Sequence, residues 1–495
     1  MEQSSDYEQN YGRCMKCKQT SISLVCQTCD SNLKEKYGMC KKCEQIKSIN
    51  MGWCYACIYN YREKKYGKCI ECKQANTGQD WCQTCNSKRF QQNFNNWTSG
   101  NDDLDKFIQT NQLSAKNEQQ LLEWIPYDRF HAVKYIAEGG FGKVYEASWK
   151  DALKVLNNSK NLTLEFINEI TLHIKIIEDK KLDQVVRCHG ISQEPSTKNY
   201  IMVMKYAKKG NLRKYLNERR SHNNGLLNFH KLNKRFLKLN YIAIGLKRIH
   251  EKGLIHRDLH TGNIVCFDEK ISITDMGLCK PVNYKELENM ENKVYGVLPY
   301  LAPEIMRGQK YTQASDIYSF GIIMYEVISE LTPYYDTAHD ECLALSICEG
   351  LRPRFNIKVP KLILDLIKRC LDADPSNRPN ALDLSRIISK WSYEIHSYLK
   401  SKENQKELIQ TELTKQIEEI IKNNRLSAIK NLKNKPHPGA IYTSRLLNFN
   451  NLPKPKNPDD YYSNYDDISS MQYPVYSDYQ NSHNTAECLD CEIVD

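Results

Sequence analysis

Between Leu254 and Gly277 the chain reads LIHRDLHTGNIVCFDEKISITDMG. Asp258 is followed by Asn263, and then, after a short hairpin-like segment, by Asp275. Moving a phosphoryl group from a nucleotide asks little covalent chemistry of a protein. It asks for an acceptor hydroxyl held in line and for metal ions that spread the phosphate charge. A carboxylate that takes the hydroxyl proton, an amide oxygen on one metal ion and a carboxylate on the other would meet that need. Asp258, Asn263 and Asp275 are three such groups, in the order H-R-D-x-x-x-x-N and then D-x-G.

A second constellation stands at the other end of the chain. Residues 11–85 repeat three times: Tyr-Gly-x-Cys-x-x-Cys opens at Tyr11, Tyr37 and Tyr66, giving Cys14/Cys17, Cys40/Cys43 and Cys69/Cys72. Each opening is followed by a further pair, Cys26/Cys29, Cys54/Cys57 and Cys82/Cys85. Two thiolates spaced C-x-x-C can grip one tetrahedral ion, and a second such knuckle completes a four-sulfur shell. Soft thiolates favour zinc over hard cations, so about three structural zinc ions are expected. Segments this short and polar cannot bury a core, and the metal would supply their folding energy. The Tyr-Gly phase, with Trp53 and Trp81 before the second knuckles, favours pairing within units. A cross-braced pairing is the alternative.

Composition narrows the classes. The chain has 495 residues, 40% of them hydrophobic, with a formal charge of +10 and 20 Cys. Its mean hydropathy of −0.65 implies long polar stretches beside a sizeable core. No apolar run is long enough for a membrane span. The start, MEQSSDYEQN, has no secretory character, so the expected location is intracellular, the cytoplasm first with the nucleus as the alternative, and the Cys are expected as thiols or metal ligands. Through residue 100, Lys and Arg outnumber Asp and Glu by 15 to 9. Three four-thiolate zinc centres at about −2 each would cancel that excess. The repeats therefore read as a protein-binding or architectural module, with nucleic acid disfavoured as a partner.

Elements that could position the three polar groups lie upstream. The segment LTLEFINEITLHIKIIED sets Phe166, Ile170, Ile174 and Ile177 on one helical stripe, with Glu165 and Glu169 on a neighbouring face. Ala152-Leu153-Lys154-Val155-Leu156 and Tyr200-Ile201-Met202-Val203-Met204 read as strands, and Asn240 to His250 as a helix. Within the 91–126 linker, Ser99 or Asn101 can cap a helix carrying Leu104, Phe107, Ile108 and Leu113, which is expected to pack on the following domain.

Together these motifs resemble a eukaryotic-type protein kinase over about residues 127–395. Ile136-Ala137-Glu138-Gly139-Gly140-Phe141-Gly142-Lys143-Val144 is similar to its glycine-rich loop, with Ala137 in place of the first glycine. The resemblance implies ATP and Mg²⁺ or Mn²⁺ as cofactors. Asp258 would be the catalytic carboxylate, Asn263 and Asp275 the metal holders, and Lys154 the phosphate anchor. Glu169 would pair with Lys154, since the family places that Glu just before the next apolar residue. Ile136, Gly139, Gly140, Phe141, Gly142, Val144 and Ala152 would line the nucleotide site. Met204 would be the gatekeeper, with backbone groups of Lys205 and Ala207 on the adenine edge. Arg378 would pair with Glu304 of Ala302-Pro303-Glu304. The segment Gly-Val-Leu-Pro-Tyr-Leu-Ala-Pro-Glu resembles the tyrosine-kinase-like branch of Ser/Thr kinases.

The implied fold is α+β: a bilobal kinase with a small, mainly β N-lobe and a larger helical C-lobe. Residues 1–10 are a flexible start and 11–90 three zinc-ribbon-like repeats. An amphipathic helix over 396–426, for a dimer contact or for packing on the C-lobe, precedes a disordered acidic Tyr-rich tail over 427–495. The implied function is transfer of the ATP γ-phosphoryl group to Ser or Thr of protein substrates. A dual-specificity or Tyr kinase is one alternative. Another is a weakly active or pseudokinase scaffold, which would have lost Lys154, Asp258 or Asp275; none is lost. A zinc module served by the kinase is a third. His260 stands where Ser/Thr kinases usually carry Lys, and Val297 follows Gly296 where they carry Thr. From Gly277 to Glu304 the only hydroxyls are Tyr284, Tyr295 and Tyr300, so Glu286, Glu288, Glu291 or a modified Tyr would serve the activating role beside Arg257.

Overall fold

The computed structural model of the chain describes residues 54–139, 142–147, 151–156, 164–176, 184–220, 228–268, 270–281, 294–404, 410–424 and 436–458. Chain contacts divide it into two units, one ending at Tyr206 and one beginning at Ala207. Among the described residues no helix is long and apolar enough to cross a membrane.

In the first unit, α1 (Tyr55–Tyr66) starts at Cys54, whose sulfur accepts from the Cys57 amide. α2 (Gln83–Asn93) starts at Cys82 and lies beside α3 (Asp102–Ser114). Asn101, not Ser99, caps α3: its side chain accepts from the Asp103 and Leu104 amides. Ser99 instead bonds Asp105, whose buried carboxylate also accepts from Thr98. Leu104 and Ile108 are buried as expected, but Leu113 is exposed. Gln112 takes the inner place because its amide donates to the Leu122 carbonyl, which offsets the cost of burying it.

A six-stranded sheet follows. β1 (Glu123–Trp124) pairs in parallel with β5 (Cys188–Gln193), and the order continues through β6 (Tyr200–Lys205), β4 (Asp151–Leu156), β3 (Gly142–Glu146) and β2 (Lys134–Gly139). α4 (Leu164–Ile176) buries Phe166, Glu169, Ile170, His173 and Ile176. Its inner face is thus rotated from the expected stripe: Ile174 is half-buried, and Ile177 lies outside the described residues. His173 can sit inside because its Nδ1 lies 2.9 Å from the Val186 carbonyl oxygen.

The second unit is mainly helical. α5 (Leu212–Arg220) precedes α6 (Phe229–Glu251), which starts eleven residues before the expected Asn240. Asn228 caps it, and Leu232, Phe236 and Leu239 extend the apolar face of Ile242, Leu246 and Ile249. Short strands β7 (Leu254–Ile255), β8 (Ile264–Cys266), β9 (Ile271–Ile273), β10 (Lys280–Pro281) and β11 (Val294–Gly296) carry the polar loop. They are followed by α7 (Pro303–Met306), α8 (Gln313–Ser329), α9 (Glu341–Cys348), α10 (Lys361–Cys370) and α11 (Ala381–Glu403). α8 is buried on all sides from Ser315 to Ser329, as the central helix of a core must be.

The helix expected over 396–426 is two. Residues 396–403 finish α11, because Ile395, Tyr398 and Leu399 continue its buried face. α12 (Glu412–Asn424) is separate and packs on α11 through Leu413, Thr414 and Ile417, which are fully buried. The stripe serves the unit's own core. Leu408 and Ile409 lie outside the described residues.

The tail assignment also changes. Residues 436–458 are not disordered: they run across the second unit and include β12 (Arg445–Leu447), antiparallel to β11. Leu447 and Phe449 bury alternate side chains while Leu446 faces out, so the segment holds itself down as an edge strand does. The rest of the expected tail, including Cys488 and Cys491, falls outside the described residues.

Candidate active site and cysteine cluster

Lys154 lies on β4 opposite Met202 of β6, and its Nζ donates to Glu169 Oε1 at 2.7 Å. Both side chains are buried. A buried ammonium needs a fixed carboxylate, and Glu169 on the inner face of α4 is that group. Glu165 carries no described side chain. Gly139 and Gly142 face each other where β2 meets β3, and Gly140-Phe141 fall outside the described residues. Ile136 is exposed on β2, while Val144 pairs with Lys154 and Ala152 with buried Met204. The Lys205 amide donates to the Arg187 carbonyl at 3.1 Å and is not offered to a ligand. The Ala207 carbonyl accepts from Gly210.

In the second unit the catalytic-type loop is held from behind. Asp316, at the start of α8, accepts from the backbone amides of His256 at 2.8 Å and Arg257 at 3.0 Å, with His250 Nε2 a further 2.8 Å away. Arg257 has a positive φ of 72° and Asp275 one of 62°, conformations that need such support in residues with a Cβ. The Asp258 amide donates to His256 Nδ1, so the neutral His256 ring carries its proton on Nε2, which faces the Thr274 carbonyl at 3.2 Å.

Asn263 Nδ2 donates to the Asp258 carbonyl at 2.9 Å and to Asp258 Oδ2 at 3.1 Å. That leaves Asn263 Oδ1 as the atom offered to a cation. The Thr274 amide closes the loop by donating to the Asn263 carbonyl at 2.9 Å, which sets Asp275 next to the pair in the chain. Asp258 is buried, which by itself would raise its carboxyl. The His260 ring and the Ser444 hydroxyl outweigh burial and hold it below the ordinary carboxylate value.

His260 is fixed by the Gly262 amide, which donates to its Nδ1 at 3.0 Å. The proton is therefore on Nε2, 3.5 Å from Asp258 Oδ2. Behind it lies a buried network: Thr261 donates to Glu326 at 2.9 Å, Tyr300 donates to the same carboxylate, and Arg213 reaches Tyr300 Oη at 3.1 Å. Arg378 holds Glu304 through two parallel bonds of 2.7 and 2.8 Å, the pairing the resemblance implied. The Arg257 guanidinium stands over the Tyr311 ring at 4.8 Å. Tyr284, Glu286, Glu288 and Glu291 lie outside the described residues.

Residues 130–388 match the model of the protein tyrosine and serine/threonine kinase family, a little more than half of the chain. The chain belongs to that family. The kinase is similar to a probable serine/threonine-protein kinase of Dictyostelium discoideum, 27% identical over 54% of this chain and 20% of the relative. It is 30% identical to the RGS domain-containing serine/threonine-protein kinase A of the same organism, over 54% of this chain and 23% of the relative. A serine/threonine/tyrosine-protein kinase of Arabidopsis thaliana is 25% identical over 52% of this chain and 64% of its own length. The match thus spans about a fifth of the first two relatives.

The cysteine repeats lie outside the matched residues. In the third repeat, Cys69, Cys72, Cys82 and Cys85 place all four sulfurs within 4.8 Å of one another. Cys69 and Cys85 are 3.7 Å apart, and Cys72 and Cys82 3.5 Å. A tetrahedron with metal–sulfur bonds of about 2.3 Å has edges of about 3.8 Å, so the donor set fits one zinc ion. Within this repeat the pairing is internal. Gly67, at a φ of 72°, turns the chain out of α1 into the first knuckle. A bridge from Lys68 to Ala75 closes that knuckle, and one from Gly78 to Trp81 leads into the second. Backbone amides of Cys72 and Glu71 bring the Cys69 thiol down to about 7, toward the thiolate a metal needs. Burial pushes the Cys85 thiol up. Cys54 and Cys57 are buried side by side. Cys14, Cys17, Cys26, Cys29, Cys40 and Cys43 lie outside the described residues.

Sequence reasoning missed Ser444, whose Oγ lies 2.7 Å from Asp258 Oδ2. It also missed Arg213, and it read Asp316 only as the start of a helix. The one signal for Ser444 was the run Leu446-Leu447-Asn448-Phe449, an apolar patch inside a polar tail.

Proposed function

We propose that this kinase transfers the γ-phosphoryl group of ATP to protein hydroxyls, Ser and Thr first. The observation that carries it is the clamp of Asn263 on Asp258, at both the backbone and the carboxylate. It aims one ionised carboxylate oxygen at an acceptor while leaving an amide oxygen for a metal ion. Bound Mg²⁺ would supply charge neutralisation on the phosphates, and Asn263 and Asp275 are the residues to hold it. Lys154, braced by Glu169, would grip the phosphates. Gly139, Gly140, Phe141, Gly142, Ile136, Val144, Ala152, Met204, Lys205 and Ala207 would form the nucleotide site.

The Ser/Thr preference is supported by the names of the relatives and by the small hydroxyl that Asp258 already accommodates. Membership of the tyrosine-kinase-like branch rests on the Gly296-to-Glu304 sequence. The zinc reading extends the one described four-sulfur cluster to three ions by repetition, with a protein partner for the module. An intracellular location fits the described cysteines, none of which is in a disulfide.

The test is transfer from radiolabelled ATP to a mixed peptide library, followed by phosphoamino-acid analysis. Label in phosphoserine and phosphothreonine is expected, falling at least 100-fold in Lys154→Met. Folded protein that labels no peptide would overturn the function, and label in phosphotyrosine alone would overturn the Ser/Thr assignment.

A further inference from the structure

We propose that Ser444 is a substrate of its own chain: the segment around it lies on the acceptor side of Asp258 and is phosphorylated there in cis. This rests on the reading of Asp258 as the carboxylate that orients the acceptor hydroxyl.

The Ser444 hydroxyl donates to Asp258 Oδ2 at 2.7 Å, and His260 Nε2, which carries its proton, lies 3.1 Å from Ser444 Oγ. One lone pair of Oγ thus faces His260 and the other remains for attack. Three independent anchors fix the backbone on either side. The Tyr442 carbonyl accepts from the half-buried Arg213 at 2.7 Å. The Ser444 carbonyl accepts from the Tyr295 hydroxyl at 3.2 Å. Arg445–Leu447 then add a strand to Val294–Gly296, in the segment that leads to Ala302-Pro303-Glu304. Main-chain pairing to a strand edge is a common way to hold an extended peptide in register. Both ends are tied as well: the Gly439 carbonyl accepts from the His339 amide at 2.9 Å, and the Lys456 amide donates to the Cys348 carbonyl at 3.0 Å.

A segment that only blocked the groove would need no hydroxyl at this position. Here the hydroxyl is placed as an acceptor must be. In the step, Ser444 Oγ forms a bond to the γ-phosphorus of ATP and the bond from that phosphorus to the bridging oxygen breaks. ADP leaves with the electron pair, and the hydroxyl proton passes to the Asp258 carboxylate. The product carries about two negative charges against a buried carboxylate, with only the Nε2 hydrogen bond of His260 to offset them. Repulsion then favours release of the strap from Val294–Gly296 and opens the groove to other substrates. The switch sought in the activation segment would lie in the tail instead.

The test uses the full chain, first treated with phosphatase and then incubated with Mg-ATP over a 100-fold range of protein concentration. A mixed Ser/Thr peptide library serves as outside acceptor. The expected result is about one phosphate at Ser444 per chain, formed with a rate constant unchanged by dilution and absent in Asp258→Asn. Peptide phosphorylation should accelerate as that phosphate accumulates, and Ser444→Ala should show neither the phosphate nor the acceleration. Labelled peptides with unmodified Ser444 would overturn the proposal and leave the kinase function standing. A Ser444 rate proportional to protein concentration would overturn the cis step. No transfer to either acceptor would overturn both readings at once.

Discussion

The sulfur cluster at Cys69–Cys85 and the loop around Asp258 both gather polar groups within a few ångströms, by different physical means. Around the cluster the buried side chains are few: Cys69, Ala75, Trp81 and Cys82, with Ala115 and Leu121 beside the tryptophan. The groups that do the chemistry there are also the groups that would hold the fold, through a shared ion. The loop is the reverse. Asp258 and Asn263 hold little of the structure. Asp316, His256 and the buried helices around them supply it, and the loop's chemistry is carried by a scaffold that does not need it. Removing the chemical group should therefore cost folding in the first region and activity in the second.

The largest effect to look for is chelation of the N-terminal repeats. A four-thiolate zinc site contributes on the order of 10 kcal/mol of folding free energy, so chelator should abolish the thermal transition of the repeats and leave that of the kinase domain in place. Calorimetry with elemental analysis checks both parts. Reduced, folded protein that contains no zinc would break the comparison at its first term.

Next comes Asp316→Asn, which weakens charge-assisted bonds to the His256 and Arg257 amides and to His250. A loss of about 2 kcal/mol of stability is expected, read as a lowered Tm. The fall in transfer rate should exceed any rise in KM for nucleotide, because the loop proposed to orient the acceptor is what loosens. A stability change without a rate change would show that the loop is braced elsewhere.

What was legible in the sequence follows the same division. The C-x-x-C knuckles and the Asp258–Asn263–Asp275 order could be read because their spacing is local. Glu169 was separable from Glu165 only by resemblance to a family, and the burial of Glu169 on α4 gives the physical reason. Gln112 in place of Leu113 was not readable, because a side-chain amide enters a core only when a carbonyl such as that of Leu122 is there to receive it. Ser444 was least legible. It lies 186 residues from Asp258, and no periodicity joins a strand in a polar tail to the strand edge it completes.

The smallest effect concerns the seam beside the cysteine cluster. Trp81 Nε1 donates to the Ala115 carbonyl at 3.1 Å, and its ring packs on Leu121. Trp81→Phe keeps most of the apolar contact and loses the bond, so about 1 kcal/mol is expected. Chemical denaturation of the metal-loaded protein would read it, with zinc content unchanged. A loss of zinc in this variant would mean that Trp81 shapes the ligand set and not merely its neighbourhood.

The most direct measurement is the transfer rate and nucleotide affinity of Asp258→Asn beside the natural chain. A positioned proton acceptor is worth roughly 10²- to 10⁴-fold in rate, and it acts on the transition state more than on ground-state binding. Transfer to peptides should fall within that range, with the Mg-ATP affinity changed less than about threefold and the Tm of the kinase domain held. Asp258→Asn turning over at the natural rate would contradict the assignment of Asp258 and the account built on it.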